Sequence, residues 1–306
     1  MNSREFGRLL AAFRKQNLNE YGKSWSREEL SRYIHISPHQ LGRLERGNRK
    51  YLDTETLQLL ADAFNLTALE RKELFFAAVG VSEDEIVGLE DSQARTEFEN
   101  LISTLERIQA PAFIVDDYAD LVAVNMSVMK LYRVNPDYLV RGGESYAIYN
   151  LLKFIYDESS GYKDAVGAAW ENMARRNMNF FRRISLRQRH KPYFNKLLSE
   201  LRRIKKFDLH WHEISRIPSD VDSVYDIFNW HHPAYGPVHL VFTEASLPTR
   251  YGNLYLFTYS PLDIETAEVF LEIAREVGGA AFQFAPWPFK PLNEEEDQEL
   301  LEEHRR

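Results

Sequence analysis

The chain has 306 residues, a net charge of −8, and 44% hydrophobic and 13% aromatic residues, enough length for two domains and enough apolar side chain for a large core. It contains no cysteine, which excludes a disulfide framework, a thiolate zinc site and a cysteine nucleophile. No apolar run reaches the ~20 residues of a membrane span, and the start leads into an amphipathic helix rather than a signal peptide, so a cytoplasmic protein without a membrane partner is expected.

In chain order, Phe6, Leu9, Leu10 and Phe13 recur at helical spacing and predict a first helix over 4–16. Ser26 and Glu29 form a capping box ahead of Leu30 and Ile34. Ser37 caps a third helix with Pro38 in its first turn, Leu41 and Leu44 inward, and Gly47 as its stop. His39, Gln40 and Arg43 take the outward face, where they can reach a base edge or a phosphate. The same caps and stripes fit an αα-hairpin in any bundle; they also fit a helix-turn-helix whose second helix reads DNA. Arg43, Arg46, Arg49 and Lys50 give this region a basic patch that the acidic average conceals. Asp53 or Thr54 caps a fourth helix, and Thr67 with Glu70 opens a fifth that ends at Gly80.

The run Ile36-Ser37-Pro38-His39-Gln40-Leu41-Gly42-Arg43-Leu44-Glu45-Arg46-Gly47, preceded by Arg27-Glu28-Glu29-Leu30 and followed by Thr56-Leu57-Gln58-Leu59-Leu60-Ala61, resembles the phage-repressor-like, Xre-type helix-turn-helix proteins over roughly Phe6 to Val79. The resemblance implies double-stranded DNA as partner. It implies a phosphate contact at Arg27, base reading by His39, Gln40 and Arg43 from a helix that Ser37 and Pro38 open at the duplex, and a loop through Asn48 and Arg49 along the phosphates. His35 stands where the family usually has its turn glycine. Histidine tolerates the left-handed conformation better than most residues.

An acidic linker is expected over 81–92, with Glu83, Asp84, Glu85, Glu90 and Asp91. A helix then runs over about 93–109 with Phe98, Leu101, Ile102, Leu105 and Ile108 on one stripe; it reads either as a connector or dimer contact, or as packing on its own domain. Residues 111–125 read as a hairpin around a turn at 117–120. Helices follow at 128–134, at 146–156 and over 164–206, broken near Lys191-Pro192. Val224 to Trp230, Val238 to Glu244 and Asn253 to Tyr259 read as three strands. The expected fold class is α+β: an all-α five-helix DNA-binding domain (1–80), the linker (81–92), an α/β domain with a five-stranded antiparallel sheet and inserted helices (93–292), and an acidic tail (293–306).

Hairpin, helices and three strands is the order of a PAS-like sensor. More narrowly, Ala112-Phe113-Ile114-Val115-Asp116 with Val124-Asn125, Asn150-Leu151-Leu152-Lys153-Phe154, Trp211, and His232-Pro233 leading to Gly236-Pro237-Val238 resemble the MmyB-like ligand-binding domain that follows an Xre-type reader in bacterial regulators. Val124 replaces a tryptophan usual in that family. The resemblance implies a small-molecule ligand. Aromatic richness either fills an ordinary core or walls an apolar pocket. The candidate lining is Phe113, Val115, Val124, Met129, Phe154, Trp170, Phe180, Phe181, Trp211, Phe228, Trp230, Phe242 and Phe257. A bound fatty acid is the expected guest, its carboxylate meeting Arg182, Arg183 or a histidine.

The basic stretch from Arg175 to Lys206 reads as a solvated face pairing with the acidic linker or tail, as cover for an anionic head group, or as a second nucleic-acid surface. His210 and His212, read on one strand, share a face at metal-ligand spacing, with His231, His232 and His239 further on. Buried, hydrogen-bonded histidines are the competing reading, and a single proximal histidine leaves haem open. No catalytic signature occurs, neither Gly-x-Ser-x-Gly, nor a phosphate-cradling glycine loop, nor His-Glu-x-x-His. The expected protein is a non-enzymatic, homodimeric DNA-binding transcription regulator. A metal or haem sensor, an enzyme domain fused to a DNA reader, and a helix-turn-helix that binds protein remain the alternatives.

Overall fold

The structure is a computed structural model that describes residues 1–48, 52–79, 91–134, 145–214, 227–249, 252–288 and 290. Arg49, the expected linker up to residue 90, the 219–223 loop and the acidic tail lie outside the described residues. No helix among the described residues is long and apolar enough to cross a membrane.

The first unit holds α1 (Ser3–Gln16), α2 (Arg27–Tyr33), α3 (Pro38–Glu45), α4 (Thr54–Ala63) and α5 (Ala68–Val79). Its starts are fixed by side chains: capping boxes pair Asn2 with Glu5, Ser26 with Glu29 and Ser37 with Gln40, while Asp53 caps α4. Leu9, Leu10, Phe13, Leu30, Ile34, Leu41, Leu60 and Phe64 meet in its core. His35 takes the left-handed conformation at the α2–α3 turn, with φ 57°. Gly7 lets α1 cross the end of α3: a Cβ there would lie 2.6 Å from the carbonyl oxygens of Leu44 and Glu45.

The second unit is built on an antiparallel sheet of β1 (Ala112–Asp116), β2 (Leu121–Asn125), β3 (Ile227–His232), β4 (Gly236–Thr249), β5 (Gly252–Pro261) and β6 (Ala281–Gln283), in the order β3-β4-β5-β1-β2-β6. The sixth strand is a correction to the expected five. It is three residues long and pairs Ala123 with Gln283 on the free edge of β2, too short for alternation to reveal. β1 lies between β5 and β2 and is buried along its whole length. Helix α6 (Asp91–Arg107) covers one face, where Phe98 and Leu105 pack on Ala112, Ile114 and Val122. Its stripe is thus spent on its own sheet.

The other face carries α7 (Met126–Leu131), α8 (Leu151–Tyr156), α9 (Tyr162–Val166), α10 (Trp170–Ile184), α11 (Pro192–Leu201) and α12 (Lys205–Glu213), with α13 (Ile264–Val277) against β4 and α7. The two motif asparagines are clamps. Asn125 caps α7 and bonds the backbone of Ile108, Ala110 and Ala112; Asn150 is fully buried and bonds Tyr118 O, Asp120 and Leu152 N–H. His210 and His212 lie on helix α12, not on a strand. Phe207, His210 and Trp211 form its buried side, a three-and-four spacing that outweighs the local alternation.

Candidate functional site

His39, Gln40 and Arg43 lie exposed on α3, as do Arg27, Ser37, Pro38 and Asn48 around it. The Gln40 carboxamide oxygen accepts the Ser37 N–H at 2.8 Å, which leaves its amide end for an outside partner. Arg27 is half-exposed but anchored, since its Nε donates to Glu45 at 2.6 Å beside Arg14, which binds the other oxygen at 2.6 Å. Glu45 is buried between these two guanidiniums and so ties α1, α2 and α3 together behind the exposed face of α3. Gly47 turns the chain at φ 75°, and a Cβ there would strike Ser3 and Arg4 at 2.7 Å.

A cavity lies between the sheet and its inserted helices. Of the candidate lining residues, Phe113, Val124, Met129 and Phe154 border it, joined by residues not foreseen: Leu121, Tyr132, Leu151, Tyr162, Asn177, Tyr259 and Phe284 among them. Three tyrosines at spacings this wide leave no local sequence signal. The cavity is narrow, about 40 Å³ in volume, room for a few waters only. Met129, Val134, Ile148, Asn177 and Phe284 are its partly exposed wall.

The remaining candidates lie elsewhere. Phe228 and Trp230 border a separate depression of about 270 Å³ beside Asn172 and Met173. Val115 is core. Trp170 donates its indole N–H to Ile155 O, Phe180 meets Tyr255 and Phe257 edge-on, Phe181 stacks on Phe194, and Phe242 contacts Phe228 and Phe257. Arg183 binds Glu244 at 2.9 Å and Arg182 binds Glu70 at 2.9 Å, so neither awaits a carboxylate in the cavity.

The histidines are dispersed. His210 bridges Tyr156 (2.7 Å) and Glu171 (2.9 Å). His232 accepts the Ala234 and Tyr235 N–H groups at Nδ1 and donates Nε2–H to Leu131 O. His239 meets Asp263 at 2.6 Å. Burial lowers the titration of His210 and His232. No group of three or more histidines and carboxylates placed to hold a metal occurs among the described residues.

The basic stretch joins the two units. Glu70 of α5 is fully buried between Arg182 of α10 and Arg189, which also reach Asn65 O, Trp211 O and Arg182 O. Both guanidiniums lie over the Trp211 ring, and Arg189 also over Phe13. Burial alone would raise the Glu70 carboxyl; the two arginines outweigh it and hold the group at about 2. Leu186 enters the core of the first unit, Gln16 donates to Arg189 O, and Arg187 faces Glu73 at 3.6 Å. Thus α1 and α5 face the second unit.

A second buried charge cluster lies at the β1–β2 turn. Lys290 bridges Asp116 and Asp120, at 2.6 Å from the latter, between the rings of Tyr118 and Tyr193. Burial raises Asp116 to about 6 against the pull of Lys290, and Asp117 to about 7 against the Asn253 N–H. Gln188, beside Arg189, donates to Asp117 at 3.3 Å, so this turn touches the segment that docks on the first unit.

Compared with known proteins, residues 17–70 match a helix-turn-helix family and residues 94–272 match the MmyB-like transcription regulator ligand binding domain. No curated protein matches the chain. Both matched families are of regulator type, a DNA-binding motif followed by a ligand-binding domain. Because the second match spans more than half of the sequence, the chain belongs to the family defined by the MmyB-like transcription regulator ligand-binding domain.

Proposed function

We propose that the protein is a sequence-specific transcription regulator whose operator affinity responds to a small apolar molecule held in the cavity. The observation that carries this reading is the buried Glu70–Arg182–Arg189 cluster. Arg182 lies on α10, the same helix that brings Asn177 to the cavity, about 7.5 Å away along the axis. A rotation or shift of α10 on ligand binding therefore acts on α5 through a charged contact. It shifts the operator-binding population only by the ligand's difference in affinity for the two arrangements.

The reader extends over residues 1–80 and the sensor over 93–292, joined by 81–92. The strand order, with helices inserted between β2 and β3, favours a PAS-like sensor. An elongated acyl compound suits the apolar lining. We assign base reading to His39, Gln40 and Arg43, phosphate contact to Arg27, Asn48 and Arg49, and the helix start that meets the duplex to Ser37 and Pro38. A cytoplasmic homodimer would present two recognition helices about 34 Å apart.

The test is selection of duplexes from a random pool by the full chain, followed by titration of the enriched site. Enrichment of one sequence, with affinity falling steeply as salt rises, supports the reading. A pool that stays random overturns it.

A further inference from the structure

The lining of the cavity sets tyrosine hydroxyls and one carboxamide among apolar side chains. Tyr132 and Tyr259 hold each other hydroxyl to hydroxyl at 2.8 Å in a buried position. With Tyr132 donating, the Tyr259 proton has no acceptor among the described residues. It is a buried donor in a mostly apolar wall, and such donors are costly to leave unmade. Asn177 adds a carboxamide whose Nδ2 is anchored to Met173 O at 2.8 Å. Among the described residues, no Lys, Arg or His lines the cavity. Arg182 is committed to Glu70, Arg183 to Glu244, and both nitrogens of His232 to backbone groups, while Arg133, between the lining residues Tyr132 and Val134, is exposed to solvent rather than part of the lining. A carboxylate buried there would face only neutral dipoles, and an ionised group without a counter-charge is strongly disfavoured in such a setting.

We propose that the cavity selects an uncharged guest with an extended apolar body and one ketone, ester or lactone oxygen, which accepts the Tyr259 hydroxyl. The inference rests on the ligand-responsive reading above. The narrow slot opens for the guest by movement of Met129 and Phe284 in the partly exposed wall. Methionine, unbranched and adaptable, suits that role.

The test uses the full chain, with 2-undecanone and undecanoate as probes, titrated calorimetrically at about pH 8, where the acid is ionised. The ketone is expected to bind at least about tenfold more tightly than the carboxylate. Tyr259→Phe is expected to weaken ketone binding by roughly three- to tenfold in a chain still folded at the assay temperature, with a lowered thermal unfolding midpoint because the buried Tyr132 hydroxyl loses its acceptor. Tighter binding of undecanoate, absence of ketone binding, or equal ketone affinity in Tyr259→Phe each overturns the proposal. The regulator reading is scored separately, by anisotropy on the selected operator. Ketone binding that leaves operator affinity unaltered refutes the coupling and spares the head-group assignment, whereas undecanoate that binds and shifts operator affinity does the reverse.

Discussion

Glu70 serves two structures with its two oxygens. Oε2 accepts the Thr67 N–H at 2.7 Å and closes the capping box that starts α5; Oε1 takes Arg182 and Arg189. The box is legible in the sequence, because its partners are three residues apart. The ion cluster is not, because its arginines lie 112 and 119 positions away and nothing local marks them as different from their solvated neighbours. Replacing Glu70 by Gln leaves two buried guanidiniums without a counter-charge, and a loss of ~3–5 kcal/mol is expected in urea unfolding at neutral pH. The pH dependence has a definite sign. A carboxyl held at about 2 rather than its ordinary 4.5 contributes stability that is fully present above 4.5 and is lost as pH falls towards 2. That acid-side slope should shrink in Glu70→Gln. Asp116, beside Lys290, gives the opposite case. Asp116 is raised, so the folded state retains its proton and stability falls as pH rises through the interval between 3.8 and about 6. Lys290→Met should therefore lower the melting temperature more at pH 8 than at pH 5, and equal losses at both would exclude the charge-based explanation.

Among the elements, the short capped helices of the first unit were readable because each start is fixed by residues within four positions. Helix α12 and strand β6 were not. In α12, Asp208 to His212 alternates like a strand, and only burial of Phe207, His210 and Trp211 reveals the helical side. In β6, three residues gain their structure from pairing with β2, a contact of long sequence separation. Two predictions belong to this scale. Gly7→Ala pushes α1 off the end of α3 against rigid backbone, and a loss of about 1–3 kcal/mol is expected, with weakened DNA binding because α3 loses its support. Arg43→Ala removes an exposed side chain from the outward face of α3 and leaves stability nearly unchanged. Its operator affinity should drop by ~1–3 kcal/mol if it reads a guanine; an unaltered gel-shift midpoint would exclude that role.

For the whole molecule, the order of strands and helices and the helix-turn-helix were legible as pattern, and four of the expected lining residues do reach the cavity. Most of the remaining aromatics fill the core instead, since an aromatic side chain carries no mark that separates pocket wall from packing. The docking of the two units was the least visible feature. It rests on buried charge, on Leu186 within the first unit's core and on Gln16, all brought together across the chain. Because the charge cluster and Leu186 are buried, the two units are expected to unfold in one transition followed by circular dichroism and by tryptophan fluorescence alike. Separate transitions should appear in Glu70→Gln, as the shared contact is lost.

The central claim is that the exposed face of α3 reads a duplex while α1 and α5 hold the sensor behind it. Its most direct measurement is the anisotropy of the labelled, selected operator titrated with the full chain and with the His39→Ala, Gln40→Ala, Arg43→Ala triple variant, over a salt series. The account predicts tight, salt-sensitive binding by the wild-type chain and, for a variant that remains folded, binding no stronger than to random DNA. Wild-type affinity in the triple variant would contradict it.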